Sequence, residues 1–528
     1  MAFLFNWLKN STVTPQRVPT DTIVPLHYLD GTKTNAGIVM DFSMQFDHVL
    51  DVEKLVGALE KLLEKPGWRK LGARIRINEA GKYEYHIPST YTKERRAINF
   101  SHAKHDISLS EHPIGSRLPR ADGSIVVSPN TKEFRSLFMP KDSPTNIKEW
   151  LYTDRAQLCL HVVSFVDATL VSLTWVHTLL DATSRQMLFA AWTATLEGRE
   201  QDVPDFHGEL SDPLATLGTD SKLNADVAEE EYVLKGQEVT GWSFFKFVFN
   251  MMWEVIMHRT EEAHYVILPP AFFAKLRASA LADLASMPPG TIVMDTSDPK
   301  HPKPFLSDGD ILCAWWNRLM TSCLPTTPSA SPTHTIQILN VFNMRPLFTS
   351  TAPTLLPRGK AYIGNCVSAI HTFFTLREML SLPLGVLAAR LRSDLVRQAT
   401  RPQIEAKFAL QRAGEAKSGY SPVYGQGDMQ ISAFSNWHKA RMFDVDFTGA
   451  VVGGGDGRAE GKVAKPSYVM PNATANGIPL RNSGVVRGGW AGQLVGWRDH
   501  EAAGVEGGRE GGRGDEVRCA LFMAESMT

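Results

Sequence analysis

Apolar residues recur along this chain with two periods, and the change from one to the other marks its elements. An apolar run around Ile38 to Phe46 reads as a strand. From Asp51 onward, Val52, Leu55, Val56, Leu59, Leu62 and Leu63 share one helical face, and Pro66-Gly67 ends it. Leu71 to Ile77 and Lys82 to Ile87 read as paired strands across a turn at Gly81. Gln157 to Val166 and Thr169 to His177, separated by Asp167-Ala168, read as a hairpin. In its second arm Val171, Leu173, Trp175 and His177 alternate, which puts His177 where a buried strand ends. Starting near Ser184, the residues Leu188, Ala191, Trp192, Thr195 and Leu196 return to helical spacing, with Gly198 placed to cap.

Past this helix the pattern thins. Glu200 to Glu238 is acidic with few large apolar residues and reads as an interdomain crossover. Trp242 to His258 is aromatic, but Lys246, Asn250, Glu254 and His258 form a polar stripe at intervals of four. That predicts an amphipathic helix, not one that spans a membrane; packing on the protein's own core is the preferred reading and a monotopic membrane helix the alternative. Ser307-Asp-Gly-Asp310 reads as the acidic form of a capping box opening a helix over Ile311 to Thr321. Gln337 to Phe342 reads as a strand leading to Asn343-Met-Arg345, and Tyr362-Ile-Gly-Asn365 follows a Pro-rich loop. Ser435-Asn-Trp437 and Phe443 to Phe447 read as strand-like, aromatic and acidic. Gly453 to Gly461 and Gly504 to Gly514, rich in Gly, Arg and Glu, read as flexible loops or tail.

Composition narrows the class without changing this picture. The 528 residues suggest about two to four domains. With 55 Lys and Arg against 56 Asp and Glu, no net field draws nucleic acid or an anionic membrane surface. The five cysteines, Cys159, Cys313, Cys323, Cys366 and Cys519, are scattered and form no metal-ligand spacing. They point to a reducing compartment, the cytoplasm, and to no metal. Met1 to Asn10 lacks the long apolar stretch of a secretory signal. His102, His105 and His112 match no metal-binding helix and read as a solvated loop.

The candidate chemistry lies at His177 and Asp181, a His-x-x-x-Asp spacing on a strand-to-helix turn. A neutral imidazole there can take a proton from a hydroxyl or amine as that group attacks. Taken alone, the spacing better fits a satisfied core histidine and a helix-start aspartate.

His177-Thr-Leu-Leu-Asp181, Ser435-x-Trp437 and Asp446-Phe447-Thr-Gly449, in that order, resemble the BAHD-type superfamily of acyl-CoA-dependent acyltransferases. The chain is most similar to its fungal branch, which acetylates trichothecenes and related metabolites. Pro25-Leu26 through Leu29-Asp30, Trp68 through Arg74, Ser307 through Trp316, Arg345-Pro346 and Tyr362-x-Gly-Asn365 extend the resemblance from about residue 24 to about 495. It implies an α/β fold of two chloramphenicol-acetyltransferase-like domains, each a mixed sheet with helices, with the active site in a channel between them. The expected division is residues 1–205 with the motif, a crossover at 206–240, a second domain at 241–500 and a tail at 501–528.

The same resemblance implies site roles. His177 would be the general base, and Asp181 would turn away from substrate to pair with Arg345. Ser435 and Trp437 would contact the reacting group, Asp446 would be architectural, and Ser307 would lie near the CoA nucleotide. Acetyl-CoA would be a co-substrate and the acceptor a small molecule, with no bound cofactor and a monomeric protein. The plant pattern Asp-Phe-Gly-Trp-Gly stands here as Asp446-Phe-Thr-Gly-Ala450, without the tryptophan. Peptide-synthetase condensation domains share the fold with a His-His-x-x-x-Asp-Gly signature, but Val176 and Ala182 flank the motif here. A non-catalytic binding protein on the same scaffold is the other alternative.

Overall fold

The computed structural model describes residues 14–220, 227–257, 261–288, 290–298, 300–323, 330–453, 463–476, 482–489 and 492–500. Two large sheets organise it. In the first, the strand order is Tyr468–Ala475, Ile38–Phe46, Thr169–Val176, Cys159–Ser164 and Asn99–Lys104. Ile38–Phe46 and Thr169–Val176 run antiparallel, with Val39 opposite Val176 and Phe46 opposite Thr169. Both are buried at every position, so this sheet is covered on both faces and its strands need not alternate. Helices Val52–Leu63 and Ala182–Leu196 are bound to each other where the Trp192 indole N–H donates to the Leu55 carbonyl at 2.9 Å.

The second sheet has seven strands, in the order Val367–Thr375, Thr335–Asn343, Gln430–Asn436, Gly484–Gly489, Gly492–His500, Glu261–Leu268 and Val126–Val127. It is mixed: Thr335–Asn343 is antiparallel to Val367–Thr375 and parallel to Gln430–Asn436. Helices Asp308–Cys323 and Leu384–Gln398 contribute Ile311, Trp316, Leu387 and Leu391 to its core. The fold is thus the mixed α/β arrangement of two sheets that the resemblance implies. Each sheet borrows a strand across the chain. Tyr468–Ala475, late in sequence, pairs with Ile38–Phe46, and Val126–Val127 pairs with Ile267 and Val266.

Most expected elements stand where the periodicity puts them, among them the hairpin of Cys159–Ser164 and Thr169–Val176 and the Asp51-capped helix. Four readings change. Phe443 to Phe447 is not a strand: it lies between short 3-10 turns at Met442–Asp444 and Thr448–Ala450, and Phe447 is buried against Phe46 and Trp192. His102 lies in strand Asn99–Lys104, and His105 stacks on Phe165 with His112 edge-on, so the three do not form a solvated loop. Within the crossover Leu214, Leu217, Tyr232 and Leu234 are buried, anchoring it at both ends. Helix Gly241–Met257 buries none of its residues in the core. The Gly-rich stretch after Gly453 and the tail from residue 501 lie outside the described residues.

Candidate active site

His177 follows directly on the last residue of strand Thr169–Val176, and its backbone N–H donates to the Ile38 carbonyl at 2.9 Å. It is half-buried, and its Nδ1 has no hydrogen-bond partner among the described residues. Burial holds the imidazole below its ordinary pKa, opposed in part by the Asp181 charge.

Asp181 is the N-cap of the following helix, and one carboxylate oxygen accepts from the N–H groups of Thr183 and Ser184 at 3.1 and 2.9 Å. The other oxygen accepts from Arg345 Nη1 at 2.8 Å and from the Cys366 N–H at 2.9 Å. The ion pair expected between Asp181 and Arg345 is therefore present, and both partners are buried. Burial pushes the carboxyl up, but the Arg345 charge and these bonds outweigh it and hold its pKa below the ordinary value. Arg345 Nη2 donates to Ser184 Oγ and to the Gly364 carbonyl at 2.7 and 2.6 Å. Arg345 thus joins the motif helix to the chain just before strand Val367–Thr375.

Asp30 and Asn365, which carried no assigned role in the sequence, meet here. Asp30 Oδ1 accepts from the Asn365 backbone N–H at 2.6 Å and from its side-chain amide at 2.8 Å. The same amide nitrogen donates to the His177 carbonyl at 2.9 Å, so Asn365 holds the motif backbone from the side opposite the strand. Gly364 is required beside it: a Cβ there would sit 3.1 Å from the Asp30 carboxylate. Behind Asp30 lies a buried group of His27, Lys70 and Tyr362, with His27 Nε2 3.0 Å from Lys70 Nζ and His27 Nδ1 3.3 Å from the Tyr362 hydroxyl. Burial raises the Asp30 pKa and lowers those of Lys70 and His27, the last to about 2. Proximity in sequence could not reveal these contacts, since Asp30 and Asn365 are 335 residues apart.

Ser435 lies in strand Gln430–Asn436, and the Trp437 indole N–H donates to its Oγ at 2.7 Å. The Arg185 guanidinium, one turn past Asp181, lies 5.0 Å over the Trp437 ring and 3.9 Å over Phe42. The turn after Ser435 is in this way packed against the motif helix. Asn343, at the end of the neighbouring strand, reaches Thr183 Oγ1 at 3.2 Å. Ser307 caps helix Asp308–Cys323: its Oγ donates to Asp310 at 2.8 Å and accepts from Arg392 at 2.6 Å. Asp446 accepts from the Thr448 N–H at 3.0 Å, and Thr448 Oγ1 accepts from the Ala464 N–H at 2.9 Å. Thr448, standing where plants have glycine, closes this turn with its own side chain. Among the described residues, no group of three His, Cys, Asp or Glu could hold a metal ion.

No protein-family model matches the chain. Acetyltransferase adrJ of Penicillium rubens is 36% identical over 467 residues, covering 88% of this chain and 90% of its own length. Transcriptional regulator calD of Penicillium decumbens is 35% identical over 472 residues, covering 89% and 90%. Among solved structures, F. sporotrichioides TRI101 complexed with coenzyme A and T-2 matches with a TM-score of 0.60 at 13% identity, covering 96% of this chain and 98% of that one. At that identity the structural likeness is one of fold.

The chain belongs to the fungal acetyltransferases of which adrJ is one, and its fold of two mixed sheets is that of the BAHD-type superfamily of acyl-CoA-dependent acyltransferases. Within that superfamily it falls in the fungal branch and resembles trichothecene acetyltransferase. By these relatives it is an acyltransferase.

Proposed function

We propose that the protein moves an acyl group, acetyl in the first instance, from CoA to a hydroxyl or amine of a small secondary metabolite, with His177 as general base. The observation that carries this reading is the locked motif turn. Asp181 and Arg345 are engaged with each other and with backbone groups, while His177 is half-buried with Nδ1 unpartnered among the described residues and its pKa is lowered toward the neutral, proton-accepting form.

In the proposed sequence, acyl-CoA and acceptor bind together. The imidazole takes the acceptor proton as its oxygen or nitrogen attacks the thioester carbonyl. The resulting oxyanion accepts a hydrogen bond from Ser435, whose Oγ already receives the Trp437 N–H and whose own proton can therefore point to substrate. Collapse breaks the C–S bond, and the imidazolium returns its proton to the CoA thiolate. Direct transfer is supported by the state of the nearest thiol: burial pushes Cys366 up to about 12, too high to furnish a thiolate nucleophile. A ternary complex is supported by the TRI101 crystal that contains both coenzyme A and T-2.

We assign Asp446 an architectural role and place Ser307 near the CoA nucleotide, at the start of a helix whose Gly309 abuts Asn436, next to Ser435. We further propose a cytoplasmic monomer divided at residues 206–240.

The relative named as a transcriptional regulator favours a second reading, a binding protein that has kept the scaffold. A formal net charge of −1 offers DNA no general attraction, and the motif turn is intact, so acyl transfer is preferred.

The deciding experiment offers acetyl-CoA and a panel of fungal secondary-metabolite alcohols and amines to wild type and His177→Ala. Free CoA and an acylated product from wild type alone are expected, with the variant still folded and binding CoA. Thioester cleavage that survives in His177→Ala, or an acetylated protein residue trapped on the path, would defeat the scheme.

A further inference from the structure

Helix Gly241–Met257 presents its apolar side chains outward. The half-buried positions are Ser243, Phe247, Val248, Asn250 and Glu254; four of them recur at i, i+4, i+7 and i+11, with Val248 beside them, and this stripe faces the protein. Three of these five are polar. That stripe seats the helix on the turn before strand Gln430–Asn436. Asn250 Nδ2 donates to the Gly427 carbonyl at 3.3 Å, and a Cβ at Gly427 would meet the Ser243 carbonyl at 2.3 Å, so backbone packs on backbone there. From beside the stripe Lys246 reaches back to Asp428 at 2.6 Å.

Apart from Lys246, the large side chains on the rest of the circumference are apolar and in solvent. Trp242 is 83% exposed, Phe245 66%, Phe249 63%, Met252 56% and Trp253 53%, and Val255, Ile256 and Met257 continue the surface. Side chains this large, contiguous on one element, mark an interaction surface. A surface helix of a globular protein points its apolar face to the core; here the orientation is reversed.

We propose that this helix is a bilayer anchor, lying in the interfacial region of a phospholipid membrane while the body of the protein stays in water. Three observations favour lipid over a second copy of the chain. First, a partner helix or groove covers one stripe of about 100°, whereas the apolar side chains here emerge on every side except the seated one. A fluid phase that conforms to the helix covers them all. Second, five of the exposed residues are aromatic, Trp242, Phe244, Phe245, Phe249 and Trp253, side chains of the kind interfacial helices bury at the headgroup boundary. Third, the dimensions fit. The helix is about 25 Å long and about 10 Å across, and interfacial helices sink about 5 to 10 Å into the headgroup and acyl boundary. No helix among the described residues is long and apolar enough to cross a membrane, so the anchor lies on one leaflet.

The test is flotation of the full-length protein with vesicles of phosphatidylcholine, a lipid without net charge. Wild type should float with the vesicles and remain bound in 1 M salt, because the attraction is apolar. The triple change Phe245→Glu, Phe249→Glu and Trp253→Glu should lower the partition coefficient at least about tenfold. None of the three touches the motif turn, so melting temperature and transfer to a water-soluble acceptor should stay at wild-type values. Wild type that stays with the aqueous fraction overturns the proposal. So does a triple variant that floats equally well. A wild-type dimer in sedimentation that the same triple change splits, without vesicle binding, assigns the surface to a second copy and overturns it too.

Discussion

A histidine that must take a proton at neutral pH is best held in its neutral form, and burial does this to His177. Because the shift is downward, the base is already deprotonated above the ordinary imidazole value of about 6.5. kcat/KM should therefore rise with pH on a limb centred below that value and be flat from there to pH 8. A limb above about 7 would mean that the group being titrated is not this imidazole. Asp181 carries the opposite bookkeeping of charge. Its folded pKa is depressed, so the Arg345 pair contributes stability above the unfolded carboxyl value of about 3.9 and loses it as pH falls through the folded value. Removing one member of a buried pair leaves the other uncompensated, at a cost of about 3 to 5 kcal/mol. Asp181→Ala should thus lower the melting temperature and activity together, with Asp181→Asn keeping part of each through the cap to Ser184. A wild-type melting curve for Asp181→Ala would refute the role given to the pair.

At the scale of elements, the site is made where the ends of separate strands and a helix start converge. Strand Gln430–Asn436 brings Ser435, and the turn after it lays Trp437 against Arg185 of the motif helix. Since the indole N–H is spent on Ser435 Oγ, the two residues should not respond alike. Ser435→Ala should cost about 10²- to 10³-fold in kcat with little change in KM, and Trp437→Phe, which keeps a ring over Arg185, should cost less. Equal losses would show that the serine contributes only through the tryptophan. At helix Asp308–Cys323 the Ser307 hydroxyl is bonded within the cap to Asp310 and Arg392. Calorimetry of Ser307→Ala should show weaker acetyl-CoA binding beyond any loss of stability; a shift in melting temperature alone would reduce Ser307 to a helix cap.

At the scale of the whole molecule, the crossover is held at Leu217 on one side and Tyr232 on the other, and of the described residues between them Thr219, Asp220, Ala228, Glu229, Glu230 and Glu231 are exposed. Limited proteolysis should first cut between these anchors, where cleavage disturbs little buried area, or in the Gly-rich sequence beyond residue 500. A first cut inside the motif hairpin or helix, residues 169–198, would contradict the division. Two nicked halves should stay together after such a cut, because Tyr468–Ala475 is hydrogen-bonded into the sheet of the N-terminal half.

Local pattern was enough to read the motif strand and helix, the Asp51 cap, the hairpin at Gly81 and the order of the family's motifs, because each depends on residues within a few positions of one another. Spacing also placed His177 and Asp181 on one turn, and resemblance paired Asp181 with Arg345. Tertiary structure alone decided the rest. An apolar strand does not encode which sheet edge it joins, so the placement of Tyr468–Ala475 beside Ile38–Phe46 could not be read. Nor could the clamp of Asp30 and Asn365 on the His177 carbonyl, which spans 335 residues. The helix at Gly241–Met257 shows the limit most plainly. Its polar stripe is legible as a period, but period does not say which side faces inward, and the docking bonds to Gly427 and Asp428 turn the polar side to the protein and leave the aromatic side outside.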